Sequence, residues 1–266
     1  MCSSDLSASF GSVVHVMAEY GAMADLDEET VGAHLDSVWD QLAFDANWLS
    51  TSERVEAEQA LERFAAWHSS RPDRELLGTE ESFECELDLG PAMPGGPRRI
   101  VGLTGTADRV ERDRDGRIWI VDFKTGRRPP AAADLAVHDQ LGVYQLAVLD
   151  GAFARLTGED AETGGAELVY LRLPDGGGPL PKVFAQASLA DVPFPLGRDE
   201  SEAIGDDAGR RSDADRELPS WVHRRLAQAA DIIVSERYDA LVGPACRYCA
   251  FRASCPAQSE GRQVVS

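Results

Sequence analysis

The sequence predicts an α/β fold, a mixed sheet layered between helices, and three observations lead there. The first part of the chain repeats its apolar residues at helical spacing. From Phe83 the period changes to two, as in half-buried strands. The order then reads helices, antiparallel strands, helix, strand, helix, an order that stacks helices on a sheet. With 266 residues, 43% of them hydrophobic, the chain can bury a sizeable core.

Ser7 to about Ala24 reads as a helix, with Phe10, Val13, Val14, Met17 and Ala18 on one face and Gly11 allowing close packing. A second helix is expected over about Glu28–Phe44. A third opens at Thr51 or Ser52, both plausible N-caps, turns Val55, Leu61, Phe64 and Ala65 inward, and stops at Pro72. Phe83, Cys85, Leu87 and Leu89 then alternate with Glu84, Glu86 and Asp88 as a strand. Gly90–Pro97 is a turn-rich loop. Strands follow over about Arg99–Arg112 and Arg117–Phe123, joined by Arg114-Asp115-Gly116. A helix is expected over about Ala133–Asp150 and a short apolar strand over Glu167–Leu173. Gly176–Pro219 reads as a β excursion followed by a solvated acidic loop. The last helix runs from about Ser220 to Leu241, and a cysteine-bearing coil ends the chain. In domain terms, 7–173 is a core, 174–219 an acidic Gly/Pro-rich excursion, and 220–266 a C-terminal helix and cysteine cluster closing on the core.

The composition narrows the functional classes. No stretch of about 18 apolar residues exists to span a membrane, and the N-terminus lacks the basic and apolar regions of a secretory signal. Five cysteines are too few and too unevenly spread for a disulfide scaffold, so a reducing cytoplasm is expected. The net charge of −20 argues by itself against nucleic acid. Of 26 basic residues only Lys124 and Lys182 are lysines, so a lysine retained here is a candidate for a role that Arg cannot take. The first six residues read as a fragment boundary.

The chemistry concentrates in Gly105–Val110 and Ile118–Gly126. Alternation along a strand puts Asp122 and Lys124 on one face. A three-residue hairpin loop ending in a left-handed Gly fits Arg114-Asp115-Gly116. That register pairs Asp113 with Arg117 and, counted back, Asp108 with Asp122, about 5 Å apart at Cβ. Two carboxylates that close repel unless a cation sits between them. Hard oxygen ligands suit Mg²⁺ or Mn²⁺, and a lysine alongside can orient a water and offset charge on a phosphate. Asp122 also interrupts an apolar run, where a buried acid needs a partner.

Asp108 followed by Asp122-Phe123-Lys124 resembles the catalytic signature of the PD-(D/E)XK nuclease superfamily. The two stretches look like the RecB-type nuclease domain of bacterial helicase–nucleases such as AddAB and AdnAB. Gly11-Ser12-Val13-Val14-His15 resembles that family's Gly-x-x-x-His motif, and Gln140-Leu141-Gly142-Val143-Tyr144 its Gln-x-x-x-Tyr motif. With the cysteine tail the resemblance spans about Phe10 to Val265. It implies a restriction-endonuclease-like mixed sheet flanked by helices. It also implies His15, Asp108 and Asp122 as ligands of Mg²⁺ or Mn²⁺, the Phe123 carbonyl as a further ligand, and Lys124 as the residue that positions the attacking water. Gln140 and Tyr144, which share a helical face, would hold DNA near the metal. Taken without the other motifs, His15, Gln140 and Tyr144 read as core packing. Glu80 sits where the family often has an acid, with a surface role as the alternative. Arg109, Arg112, Arg127 and Arg128 flank the site and are candidates for a basic channel.

Cys246, Cys249 and Cys255, followed by Pro256, form C-x2-C-x5-C-P, a spacing for a thiolate-bound metal. Iron–sulfur chemistry and zinc compete for it. The resemblance implies three ligands of a [4Fe–4S] cluster, with Cys2 the only upstream candidate for the fourth. The function expected is a metal-dependent deoxyribonuclease acting on single-stranded DNA ends. A helicase portion or subunit would be its partner, because the chain has no nucleotide-binding Gly-x-x-x-x-Gly-Lys-Ser/Thr loop. The alternatives are a catalytically silent DNA-binding scaffold and a stand-alone nuclease of CRISPR spacer acquisition.

Overall fold

A computed structural model describes residues 47–93, 95–194, 217–236, 240, 242–259 and 261. The expected helices over Ser7–Ala24 and Glu28–Phe44, His15 with its motif, and Cys2 lie outside the described residues. So does 195–216 of the acidic loop.

The described chain runs α1 (Asn47–Ser69), β1 (Arg74–Pro91), β2 (Arg98–Asp113), β3 (Ile118–Lys124), α2 (Ala132–Ala136), α3 (Asp139–Leu149), α4 (Ala154–Thr157), β4 (Thr163–Pro174), β5 (Pro181–Ala187) and α5 (Trp221–Ser235). Two short 3-10 turns, Pro244–Tyr248 and Arg252–Ser254, follow. The backbone divides into two compact units. The first holds the described residues of Met1–Leu87, Gly102–Leu196 and Pro219–Val222. The second holds those of Asp88–Val101, Gly197–Leu218 and His223–Ser266.

The first unit is built on a five-stranded sheet whose order, β1-β2-β3-β4-β5, follows the sequence. β2 and β3 are antiparallel, β3 and β4 parallel, and β4 and β5 antiparallel. The parallel pair needs a crossover, which α2, α3 and α4 supply. This mixed sheet with flanking helices is the layer architecture expected. The β excursion is integral to it, since β5 is the fifth strand.

The β2–β3 turn is anchored by its first residue. Asp113 N–H donates to the Arg117 carbonyl at 2.9 Å, and Gly116 adopts the left-handed φ of 84° that the turn requires. The Asp113 carboxylate accepts from the Asp115 and Arg117 N–H groups at 3.0 and 2.9 Å and from Trp119 Nε1 at 2.9 Å. Burial pushes this carboxyl up, but those bonds outweigh it and leave its pKa below the ordinary value.

Helix α1 packs over β4 and β5, and α3 over β3 and β4. They lie on opposite faces, because neighbouring residues of β3 point opposite ways. On the α1 side, Phe123 meets Phe64 and Trp67 edge-on at 5.3 and 5.5 Å. On the α3 side, Ile118, Ile120, Leu141, Val148 and Leu168 form the core. The α1 side also buries charge: Arg71 bridges Glu111 (3.1 Å) and Glu167 (2.9 Å), and Arg109 Nε lies 2.6 Å from Glu111.

Element boundaries differ from expectation where packing intervenes. The helix expected over Ala133–Asp150 breaks at Val137-His138, with His138 extended (φ −71°, ψ 114°). Gln186 Nε2 on β5 collects the carbonyls of that corner, nearest Leu135 at 2.9 Å, which offsets the lost helical bonds. β4 begins at Thr163, four residues early, because Gly164 and Gly165 leave room for the Trp119 ring. α1 is described from Asn47, which places Thr51 and Ser52 within the helix. α5 is described to Ser235, and 237–239 and 241 of its expected extent lie outside the described residues.

Gly142 on α3 faces Trp221 and Val222, and a Cβ there would stand 2.7 Å from Val222 Cγ2 and 2.8 Å from the Trp221 ring. On an open helix surface Gly→Ala stabilises by about 1 kcal/mol. Here overpacking reverses the sign: Gly142→Ala is expected to lower stability by about 1–3 kcal/mol in urea denaturation, and a gain in stability would contradict this packing.

Candidate active site

Arg109 pairs with Val121 and Val110 with Ile120 across β2 and β3, and one further step of the same register sets Asp108 opposite Asp122. The hairpin expectation is met on this point. Asp122 is 3% exposed in an otherwise apolar strand, so its carboxylate depends on protein partners. Oδ1 accepts from Gln140 Nε2 at 2.6 Å and lies 3.3 Å from the Tyr144 hydroxyl. Oδ2 is buried and accepts no hydrogen bond. The Lys124 ammonium stands 2.6 Å from it as an ion pair. Lys124 Nζ donates instead to Gln140 Oε1 at 2.9 Å. Gln140 thus ties the acid and the base together, and its two contacts assign its amide orientation.

Asp108 Oδ2 accepts from the Phe123 N–H at 2.7 Å, which fixes the carboxylate against the end of β3. The Tyr144 hydroxyl accepts from Gln140 Nε2 at 3.0 Å and shares its one proton between the Thr106 carbonyl (3.0 Å) and Asp122. Burial, reinforced by the Asp122 charge, pushes the Tyr144 pKa well above the ordinary phenol value, so the hydroxyl stays neutral. His138 at the start of α3 is shifted the other way, mainly by burial and then by the Lys124 charge, which favours its neutral form.

Asp108, Asp122, Lys124, Gln140 and Tyr144 therefore gather in one place. Phe123 contributes its N–H here while its ring packs on the α1 side. Glu80 lies inside β1 with a left-handed φ of 49°. His15 lies outside the described residues. Cys246, Cys249 and Cys255 belong to the second unit, and none of the described cysteines is in a disulfide. Among the described residues, no three His, Cys, Asp or Glu side chains converge to hold a metal ion. Mg²⁺ needs only one or two carboxylates, since waters and phosphate oxygens complete its shell. The carboxylates of Asp122 and Asp108, in register across β2 and β3, fit that requirement. Thiolate-held iron–sulfur or zinc takes four ligands; among the described residues Cys246, Cys249 and Cys255 form no such group, and Cys2 lies outside the described residues.

Two of the arginines expected to flank the site are placed elsewhere. Arg109 is 3% exposed and faces the α1 side, paired with Glu111, because its neighbour Asp108 takes the opposite face. Arg112 bonds Glu75 at 3.2 Å and the Leu156 carbonyl. Arg127 and Arg128 are exposed after β3, with Arg127 paired to Glu56. The buried Arg71–Glu111–Glu167 cluster escaped sequence reasoning. Its signal was Glu167 beside the apolar run Leu168–Leu171, an anomaly of the kind that marked Asp122.

A family model described as the PD-(D/E)XK nuclease superfamily matches residues 2–256. No curated protein matches. One matching solved structure, described as "Crystal structure of SSO0001", is 15% identical, covers 94% of this chain and 85% of its own, and aligns with a TM-score of 0.32.

The partners of Asp122 reverse one expectation about stability. Close carboxylates alone would make Asp122→Ala stabilising. With Lys124, Gln140 and Tyr144 all directed at it, the truncation strands buried polar groups and is expected to cost about 1–3 kcal/mol. Asp122→Asn, which keeps the Oδ1 acceptor, should cost less. Urea denaturation of the two variants checks the order.

Proposed function

The chain belongs to the PD-(D/E)XK nuclease superfamily, and on that premise we propose that Asp108, Asp122 and Lys124 form the centre of a metal-dependent deoxyribonuclease. One observation carries the reading: Asp122, buried in the sheet, lies in register with a second carboxylate, Asp108, and is ion-paired with a lysine at 2.6 Å. Two carboxylates placed together repel, and a divalent cation shared between them would add to the charge compensation that Lys124 gives Asp122.

Asp108 and Asp122 would hold Mg²⁺ or Mn²⁺, with the Phe123 carbonyl and His15 as further proposed ligands. When bound, the metal polarises a phosphate oxygen and lowers the pKa of a water. The rest falls to the protein. Lys124, held by Asp122 and Gln140, directs its remaining N–H bonds at the attacking water and at charge developing on the phosphate. Gln140 fixes the distance between acid and base through its two bonds. Tyr144, neutral and anchored on the Thr106 carbonyl, keeps Gln140 in that rotamer. The Phe123 N–H orients Asp108 before substrate arrives, so little reorganisation is needed at the reaction step.

The proposed substrate is single-stranded DNA ends, delivered by a helicase portion or subunit in the cytoplasm. The order of the motifs and the C-x2-C-x5-C-P spacing support that setting. No part of the reaction is assigned to the cysteine tail. A net charge of −20 accords with a domain whose own affinity for DNA is weak.

The test is cleavage of a fluorescent single-stranded oligonucleotide with and without added Mg²⁺ or Mn²⁺. Lys124→Ala and Asp108→Asn are each expected to lower the rate by about 10²–10³-fold, and EDTA to abolish it. Wild-type rates in either variant would sink the assignment.

A further inference from the structure

Lys182 is the second of the two lysines in the chain, and the proposed reaction makes no use of it. Its place in the sheet does. Lys124 on β3 is the register partner of Tyr170 on β4, and Tyr170 is the register partner of Lys182 on β5. Register partners share a face. Both lysines of a 266-residue chain thus fall in one row across three strands, on the face that carries Asp122. The T-shaped contact of the Tyr170 and Phe184 rings, 5.4 Å between centroids, confirms the shared face, since Phe184 and Lys182 are two apart on β5. Two strand spacings put the lysine Cβ atoms about 10 Å apart.

The middle of the row is occupied. Tyr170 is 6% exposed, and its hydroxyl donates to the Arg128 carbonyl at 3.4 Å. That bond ties the segment after Lys124 down over β4 and leaves the Arg128 side chain exposed. Lys182 is exposed as well, and among the described residues neither Arg128 nor Lys182 enters an ion pair.

We propose that Arg128 and Lys182 form a second phosphate subsite, which binds the DNA backbone next to the bond being cut and leads the strand from Lys124 across β4 to the edge strand β5. The inference rests on the nuclease reading and adds the direction of the strand over the sheet. A nucleic-acid strand presents phosphates in a row, and a row of cations is their electrostatic complement. The two residues act as positioning residues, and neither touches the reacting atoms.

The experiment measures steady-state cleavage of a short fluorescent single-stranded oligonucleotide with Mg²⁺ over a range of salt. Lys182→Ala and Arg128→Ala are each expected to raise KM about five- to tenfold with kcat nearly kept, and to reduce the slope of log affinity against log salt by about 0.7, one phosphate contact on a single strand. Lys182→Arg should restore the slope. A substrate with one uncharged methylphosphonate beside the cut should make the wild type behave like the variant, at one position only. Wild-type KM and salt slope in both alanine variants, with cleavage intact, would overturn the subsite and leave the nuclease reading standing. A wild-type chain that neither binds nor cleaves the oligonucleotide removes both.

Discussion

The site exists because β2 and β3 are locked in one register. A slip of one residue would turn every side chain of a strand to the other face. Asp108 would then point toward α1, and Arg109 would take its place beside Asp122. The Asp113 side chain opposes this through its three hydrogen bonds within the turn and to Trp119, and Gly116 supplies the left-handed turn residue. The lock lies five residues from Asp108, at the far end of the hairpin from the chemistry. Residues of a turn therefore decide whether two carboxylates meet.

The two faces of this sheet do different work. The α3 side combines an apolar core with a chain of polar contacts that runs from Thr106 through Tyr144 and Gln140 to Asp122 and Lys124. The α1 side closes around Arg71, which joins Glu111 on β2 to Glu167 on β4, across β3. Arg71 and Arg109 also lie over the Trp67 ring, at 4.6 and 5.3 Å. Buried ion pairs contribute little net stability, because desolvation opposes the Coulomb gain. They are intolerant of mispairing, however, and here they hold two non-adjacent strands to one arrangement. Arg109 belongs to this structural set, so its position beside Asp108 in the chain says nothing about DNA.

On the proposed reading, a chain with a net charge of −20 has to handle a polyanion. Net charge sets long-range attraction, and it is screened beyond about 8 Å at physiological salt. Contact is decided by the charges within that radius. At the site these are Lys124, Arg128 and Lys182, arranged by strand register and by one tyrosine hydroxyl. On that reading, the net negative charge would discourage nonspecific binding while these cations keep a local path for the backbone.

Much of this was legible in the chain alone. Apolar periodicity and a three-residue Arg-Asp-Gly loop placed Asp108 opposite Asp122 and Lys124 on the same face, because strand alternation and hairpin geometry are local rules. The mixed sheet between helices followed from element order for the same reason. The tertiary structure decided what depends on residues distant in sequence. The helix bearing Gln140 starts at Asp139 because Gln186, some fifty residues later, takes up the carbonyls of the corner before it. Arg109 turned out to be buried because Glu111 and Arg71 meet it there. The row from Lys124 to Lys182 exists only because β4 and β5 align on β3. Such pairings between remote segments leave no periodic trace in the sequence, since each partner is an ordinary residue until the fold sets it beside the other.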